Sequence, residues 1–136
     1  MALHHHLIPV ASVEAPNSRG VSLTLDAIAL LDAASNSGIQ IGVHGHQHLP
    51  RVVRYEHVAR RGEPTGNSLT IVAGGSAGVV QTRRGAERNT YSLFRFRTDG
   101  VHLTLRELRT DGVAGAPLFD LTLPIKPLLP GSGTEV

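Results

Sequence analysis

Histidine supplies most of the chemistry that this sequence could perform. Six of the eight histidines fall into two clusters, His4-His5-His6 near the start and His44, His46 and His48 further along. Imidazole is the commonest side-chain metal ligand near neutral pH. His46 and His48 could reach one centre from a turn at a strand end, because Gly45 before them permits a tight backbone path, including a positive φ. The clusters therefore predict a metal site.

Two simpler interpretations of the clusters stay open. The alternating His44, His46 and His48 could be polar residues on one solvated face of a strand. The run His4-His5-His6 could be the remnant of a purification tag, although the apolar residues around it are typical of native strand-to-loop sequence. The remaining His57 and His102 stand alone, and we interpret them as surface or hairpin residues.

The segment between the clusters must position them. Residues 9–20 are rich in Pro, Ser, Asn and Gly and predict a loop. Residues 21–34 carry an apolar face at helical spacing and predict a helix, with Ser22 as N-cap and Gly38 near its end. Residues 39–43 predict a strand. Together with an apolar stub before His4, this is a strand–loop–helix–strand unit, and sheets of this kind place ligands at strand ends.

The second half of the chain is predicted to be β-rich. Asp99-Gly100 between two alternating runs is a strong hairpin signal. Gly74-Gly75-Ser76-Ala77-Gly78 predicts a turn of small residues. The predicted strands are residues 52–57, 68–73, 91–98, 101–109 and 118–123, and residues 124–136 are predicted to be a loose tail. The fold class expected is α/β, in an α+β layered arrangement.

Composition excludes several classes of protein. The chain has 136 residues, of which 40% are apolar and 18% charged, which suits one globular domain. A (β/α)₈ barrel typically needs about 250 residues and does not fit, which argues against an amidohydrolase despite the His-x-His pattern. The chain has no cysteine, so thiolate metal sites are excluded.

Charge and hydropathy give no sign of a nucleic-acid or membrane partner. The formal net charge is +2, and the basic residues are scattered rather than interleaved with aromatics on one stripe, so we expect no specific nucleic-acid binding. No apolar run approaches the roughly 18 residues of a membrane span. The first residues lack a signal-peptide pattern, and we expect a cytoplasmic protein with no membrane contact.

The histidine motifs carry a resemblance. Leu3-His4-His5-His6-Leu7-Ile8-Pro9 resembles the strand-end histidine motif of the calcineurin-like metallophosphoesterases, and Gly45-His46-Gln47-His48 resembles the closing Gly-His-x-His motif of that family. The resemblance covers the C-terminal part of the family's domain. It implies that residues 1–123 form part of a four-layer αββα sandwich, in which a strand–helix–strand unit is followed by mostly antiparallel strands and a hairpin.

The resemblance also implies a ligand set and a substrate class. His4 would bind one divalent ion together with His46, and His48 would bind a second ion. His5 competes with His4 for the first position, and His44 would be buried or support the ligands. The ions would be manganese, iron, zinc or similar, and the substrate of the complete enzyme a phosphate ester.

The other motifs of that family are missing. The chain has no Asp-x-His, Gly-Asp-x-x-Asp or Gly-Asn-His. Two dications about 3.5–4 Å apart need a bridging anion, which neutral imidazoles do not provide, so we expect the isolated chain to be nearly inactive. We expect Met1 to be an internal start or the chain to be half of a split gene, with self-association or pairing with an N-terminal part. The alternative is a non-catalytic β-rich binding module with at most one histidine-bound metal.

Overall fold

A computed structural model describes residues 1–8, 24–46, 48–58, 64–78, 89–109, 111 and 113–125. Within these residues the chain is an α+β protein made mostly of strands, with one helix and two sheets. The elements are β1 (Ala2–Leu3), α1 (Ala27–Asn36), β2 (Ile41–His44), β3 (Arg51–Val58), β4 (Pro64–Ala73), β5 (Thr90–Arg97), β6 (Gly100–Leu108) and β7 (Ala114–Leu123). The predicted layered α+β class is confirmed at this level.

The first sheet contains the predicted strand–helix–strand unit. Its strand order is β1-β2-β4-β3. β1 pairs in parallel with β2, and β2 pairs in parallel with β4, whereas β3 and β4 are antiparallel. Leu3 lies opposite His44, and His44 lies opposite Ala73. Because parallel strands end at the same edge of a sheet, the segments that follow β1 and β2 emerge side by side.

Helix α1 lies on one face of this sheet. Ala27, Leu31 and Ala34 are buried, as the predicted apolar face requires, and Leu31 and Ala34 pack with Leu69 and Ile71 of β4. The hydroxyl of Tyr55 on β3 donates a hydrogen bond of 2.6 Å to Asp32 on the helix. The helix is therefore held on the sheet by its apolar face and by one side-chain hydrogen bond.

The helix ends in a Schellman motif. The amide of Gly38 donates to the carbonyl of Ser35 at 3.2 Å, and the amide of Ile39 donates to the carbonyl of Ala34 at 3.0 Å. Gly38 has a φ of 77°, in the left-handed region that favours glycine. Because Ile39 completes the end of the helix, strand β2 begins at Ile41 rather than at the predicted residue 39.

The predicted helix start is wrong for residues 24–26. The helix begins at Ala27. The amide of Thr24 donates to the carbonyl of His6 at 3.0 Å, which ties Thr24 to the first segment and removes it from the helix. Asp26, not Ser22, occupies the N-cap position, and its side chain makes no capping hydrogen bond. Ser22 and the predicted loop of residues 9–20 lie outside the described residues.

The second sheet has the order β5-β6-β7 and is antiparallel throughout. The Asp99-Gly100 hairpin is confirmed, because Arg97 lies opposite Gly100 across the turn. β7 is longer than the predicted residues 118–123, because its pairing with β6 extends to Ala114 across two irregularities in register. The predicted tail is described only for residues 124 and 125.

The two sheets pack face to face. Val72 of β4 is buried with Val101 and Leu103 of β6 and Leu123 of β7. Adjacent residues of a strand point to opposite faces, and accordingly Ile71 packs toward the helix whereas Val72 packs toward the second sheet. The described residues therefore form three layers, helix, sheet and sheet. A fourth layer of helix, which the metallophosphoesterase resemblance implies, is not among them.

Gly75 joins the two sheets at a point with no room for a side chain. A Cβ atom on Gly75 would overlap Oγ1 of the buried Thr90, the first residue of β5. The amide of Thr90 donates to the carbonyl of Ser76 at 2.8 Å and holds the two segments together. The predicted turn of small residues is thus a close crossing of two backbones.

Among the described residues, one edge of the first sheet has no neighbouring strand. β1 is the edge strand of the first sheet, and beside it an apolar groove of about 460 Å³ lies between the sheets. The groove is lined by Met1, Ala2, Ile41, Val43, Phe94 and Phe96. Phe96 is 76% exposed. No helix formed by the described residues is long and apolar enough to cross a membrane.

Candidate metal centre

The parallel pairing of β1 and β2 brings the two histidine clusters together. His4 directly follows β1, while His44 ends β2 and His46 lies just beyond it. The amide of Gly45 donates to the carbonyl of His4 at 3.2 Å, so the two segments stay paired past the ends of the strands. The local fold that the sequence predicted is therefore what places the histidines at one sheet edge.

His4 and His46 are in direct contact. Nδ1 of His46 lies 2.8 Å from Nε2 of His4, a hydrogen-bond distance in which one nitrogen donates and the other accepts. His5 completes a triangle of rings, with centroid distances of 5.1 Å to His4 and 4.8 Å to His46, and the His4 and His46 rings are 4.8 Å apart. His4 and His5 are exposed and His46 is half-buried.

His6 and His44 lie beneath this triangle. His6 is fully buried and His44 is 8% exposed, with ring centroids 6.0 Å apart. Burial lowers the pKa of His44, and the charge of His6 lowers it further, although a hydrogen bond to the carbonyl of Gly45 opposes the shift. His44 is therefore neutral at neutral pH and part of the core, as expected from its position ahead of the motif.

The electrostatics of His46 favour its neutral form. Desolvation lowers its pKa, and repulsion from the charges of His4, His5, His6 and His48 lowers the pKa further. A neutral imidazole is the form that binds a metal ion. Within the described part of the chain, the charges that lower this pKa are those of other imidazoles.

The backbone of the second cluster differs from the prediction. His46 has a φ of 73° and His48 a φ of 58°, whereas Gly45, the residue expected to permit a positive φ, is not in that region. Non-glycine residues in the left-handed region are uncommon and concentrate at functional sites. The strained residues are thus the two histidines themselves. Gln47, between them, lies outside the described residues.

Four of the seven carboxylates among the described residues have hydrogen-bond partners away from the histidine clusters. Asp32 accepts from Tyr55, Glu56 from Arg54, Asp111 from Arg109 and Asp120 from His102. Glu14, Glu63, Glu87 and Glu135 lie outside the described residues. Among the described residues, no group of three His, Asp or Glu side chains is arranged as a ready-made metal site. The donors present at the sheet edge are neutral nitrogens, which suit one ion better than a pair.

The structure brings several of the predicted ligand residues together. His4 and His46, which were predicted to share an ion, are in direct contact, and His48 is near enough for its charge to affect His46. His5, expected only as a substitute for His4, joins both rings. The sequence signal for His5 was its place among consecutive histidines after a strand end. Its contact with both other rings depends on the conformation of the turn after β2, which the sequence did not predict.

The sequence suggested that His102 stands alone, but the structure shows that it has a partner. Its Nε2 lies 2.5 Å from a carboxylate oxygen of Asp120, and Thr104 donates to the same oxygen at 3.2 Å. Thr104 lies opposite Asp120 in the β6–β7 register, so all three side chains share the outer face of the second sheet. The sequence predicted both strands, but it did not predict the β6–β7 register that brings His102 next to Asp120.

Comparison with protein-family models, with curated proteins and with solved structures found no match to this chain.

Proposed function

We propose that this chain is the C-terminal part of a metal-dependent phosphoesterase that resembles the calcineurin-like family. The observation that carries the proposal is the meeting of the two histidine clusters at the ends of the parallel strands β1 and β2. There Nε2 of His4 lies 2.8 Å from Nδ1 of His46. The substrate class is phosphomonoesters or phosphodiesters.

The arrangement of the sheets supports the same proposal. A strand ending in histidine, a helix, and a second parallel strand ending in Gly-His-x-His follow one another in the family's order. An antiparallel second sheet packs on the first, opposite the helix. This agrees with three of the family's four layers.

The histidines would hold the ions of the complete enzyme. His4 and His46 would bind one divalent ion and His48 the other, with bridging carboxylates from the missing part. Manganese, iron or zinc bound there supplies Lewis-acid polarisation of the phosphate ester and activation of water. The buried His6 and His44 support the sheet edge that carries these ligands.

The isolated chain is expected to be almost inactive. The known charges around His46 are those of imidazoles, and two dications held without an anion between them repel strongly. With manganese added, hydrolysis of bis(p-nitrophenyl) phosphate by the chain should not exceed that of the metal ion alone.

The edge of β1 and the apolar groove beside it support the proposal that a second chain segment binds here. The apolar groove beside β1, with the exposed Phe96, leaves apolar surface in water. The edge of β1 also leaves strand hydrogen-bonding groups available. An N-terminal part carrying the acidic motifs would pair there, and in its absence two copies of this chain would associate.

The test begins with the DNA immediately upstream of the Met1 codon. The proposal expects an in-frame or nearby sequence that encodes Asp-x-His, Gly-Asp-x-x-Asp and Gly-Asn-His. The upstream part, joined to or co-expressed with this chain, should then hydrolyse bis(p-nitrophenyl) phosphate in the presence of manganese. His46→Ala should abolish that activity, and His57→Ala on β3 should leave it unchanged. If no acidic motif is encoded there, the proposal is wrong.

A second candidate function is a non-catalytic β-rich binding module. The observation that favours it is that no carboxylate among the described residues lies in the histidine cluster, as the charges acting on His46 show. This candidate predicts a monomer that folds without a partner and holds at most one metal ion. Size-exclusion chromatography with light scattering separates it from the first, which predicts association through the groove.

A further inference from the structure

We propose that the chain by itself binds one transition-metal ion through the three imidazoles of His4, His5 and His46. The inference rests on the metal-site half of the proposed function and changes its ligand set. His5 becomes a third ligand to the same ion, and His48 is not required. It needs neither the missing acidic motifs nor phosphoesterase activity.

The spacing of the rings is compatible with a shared ion. With metal–nitrogen bonds of about 2.1 Å, two nitrogens on one ion lie about 3.0–3.4 Å apart and their ring centres about 4.5–5.2 Å apart. The three centroid distances are 4.8, 4.8 and 5.1 Å. The 2.8 Å separation between His4 and His46 needs to widen by only a few tenths of an ångström.

The present contact between His4 and His46 is a hydrogen bond, so one of the two nitrogens carries a proton. Binding moves that proton: the nitrogen lone pairs of His4 and His46 both turn to the ion, and the proton transfers through water to the other nitrogen of the same ring, so both ligands stay neutral. His4 and His5 are exposed, so their rings can turn to aim at the ion at little cost. That reorientation is what separates the present arrangement from a ready-made site.

The backbone supplies the position of the third ring. The left-handed conformation of His46, with a φ of 73°, turns the chain sharply after β2 and brings this ring against His4 and His5. His6 is less suitable as a ligand, because it is fully buried and its ring centre lies 6.2 Å from that of His46. The strained residue is thus the one that touches both exposed histidines.

The donor set selects the metal. Three neutral imidazoles without a carboxylate suit zinc, copper, nickel and cobalt, whereas manganese and magnesium prefer oxygen ligands. The isolated chain should therefore prefer zinc over manganese, even though manganese is a common ion for the complete enzyme.

The test is a zinc titration of the metal-free chain, followed by calorimetry and by competition with a chromogenic chelator. One ion per chain should bind. Removing a residue that only hydrogen-bonds to a metal ligand typically lowers metal affinity about 10- to 100-fold. Removing a ligand itself should cost at least as much, so each of His4→Ala, His5→Ala and His46→Ala should weaken zinc binding at least about tenfold. The matched control His57→Ala on β3 should bind zinc as the unchanged chain does, and His48→Ala should weaken binding less than His46→Ala does.

Electron paramagnetic resonance of the copper-loaded chain gives an independent count of ligands. The nitrogen hyperfine pattern should indicate three imidazoles in the unchanged chain and two in His5→Ala. Unchanged zinc affinity in His5→Ala, or a loss in His48→Ala equal to that in His46→Ala, overturns the inference. If His46→Ala does not fold, His46→Gly removes the same ring and accommodates the positive φ.

The two proposals can fail separately. Upstream DNA without acidic motifs would refute the phosphoesterase and leave the three-histidine site standing. A chain that binds zinc equally well without His5 would refute the site and leave reconstitution of the enzyme possible.

Discussion

The phenolic oxygen of Tyr55 lies 2.6 Å from a carboxylate oxygen of Asp32, and this contact joins strand β3 to helix α1. It spans 23 positions of the chain. The hydrogen bond, followed by desolvation and the carboxylate charge, raises the pKa of Tyr55. The helix that crosses between β1 and β2 is thereby held to the far edge of the same sheet.

Replacing Tyr55 with Phe should lower the free energy of unfolding by about 1 kcal/mol. The substitution keeps the ring but removes a hydrogen bond to a charged acceptor, and partial exposure reduces its value. Because the folded pKa is raised, the contribution is present below the ordinary phenol pKa and is lost as the pH rises through the folded value. Urea denaturation measures the difference, with Tyr91→Phe as control; equal losses for the two variants would contradict the assignment.

His46 should tolerate glycine better than alanine. Its φ of 73° is costly for any residue with a Cβ, and glycine removes this cost at the expense of chain entropy. We expect His46→Gly to be about 0.5–1 kcal/mol more stable than His46→Ala. His44 lies in regular strand β2, so there the order should reverse. Thermal denaturation of the four variants checks both comparisons, and alanine equal to glycine at position 46 would refute the strained conformation.

Gly75→Ala should destabilise the fold by about 1–3 kcal/mol, as overpacking commonly does. The new methyl group would overlap Oγ1 of Thr90, which is buried and branched at Cβ and cannot move aside easily. A Cβ on Gly78 would meet nothing within 4 Å, so Gly78→Ala is the matched control and should be nearly neutral. Adding Thr90→Ala to Gly75→Ala should recover part of the loss in a double-mutant cycle. Strict additivity would show that the two positions do not touch.

His102→Ala should raise the pKa of Asp120 toward the ordinary aspartate value. The hydrogen bond from His102 is the main cause that holds this pKa low; the hydroxyl of Thr104 and the charges of His102 and Arg106 contribute less. A depressed carboxylate pKa stabilises the fold above the unfolded value, about 3.9, and the contribution disappears as the pH falls through the folded value. Carboxyl ¹³C NMR titration measures the change.

Asp111 is the internal control for that titration. Its pKa is lowered chiefly by the hydrogen bond from Arg109, at a separate turn. It should keep its pKa in His102→Ala. A parallel shift at Asp111 would point to a general change in the second sheet rather than to loss of the His102–Asp120 contact.

Much of the fold could be predicted from local sequence patterns. The helix face at Ala27, Leu31 and Ala34 and the Asp99-Gly100 hairpin depend on spacing and turn chemistry, which act over a few residues. The start of the helix could not be read in this way. Thr24 is held by the carbonyl of His6, and such a contact between distant segments leaves no periodic signal.

The candidate site was predictable in composition and position but not in detail. Histidines at the ends of two predicted strands, on either side of a helix, predicted a site, and the resemblance to the metallophosphoesterases implied that His4 and His46 share it. The strand register and the left-handed turn at His46 decide which rings touch, and neither is encoded in residue spacing. For the same reason Gly45 was a natural but wrong choice for the positive φ, since glycine permits that conformation without requiring it.

The two faces of strand β4 contribute side chains to two different hydrophobic cores. Ile71 belongs to the core under the helix and its neighbour Val72 to the core between the sheets. Loss of packing on either side exposes one face of β4 and so weakens the strand that the other side depends on. The helix layer and the second sheet are therefore coupled as one cooperative unit, and a calorimetric scan should show one heat-absorption peak instead of stepwise melting.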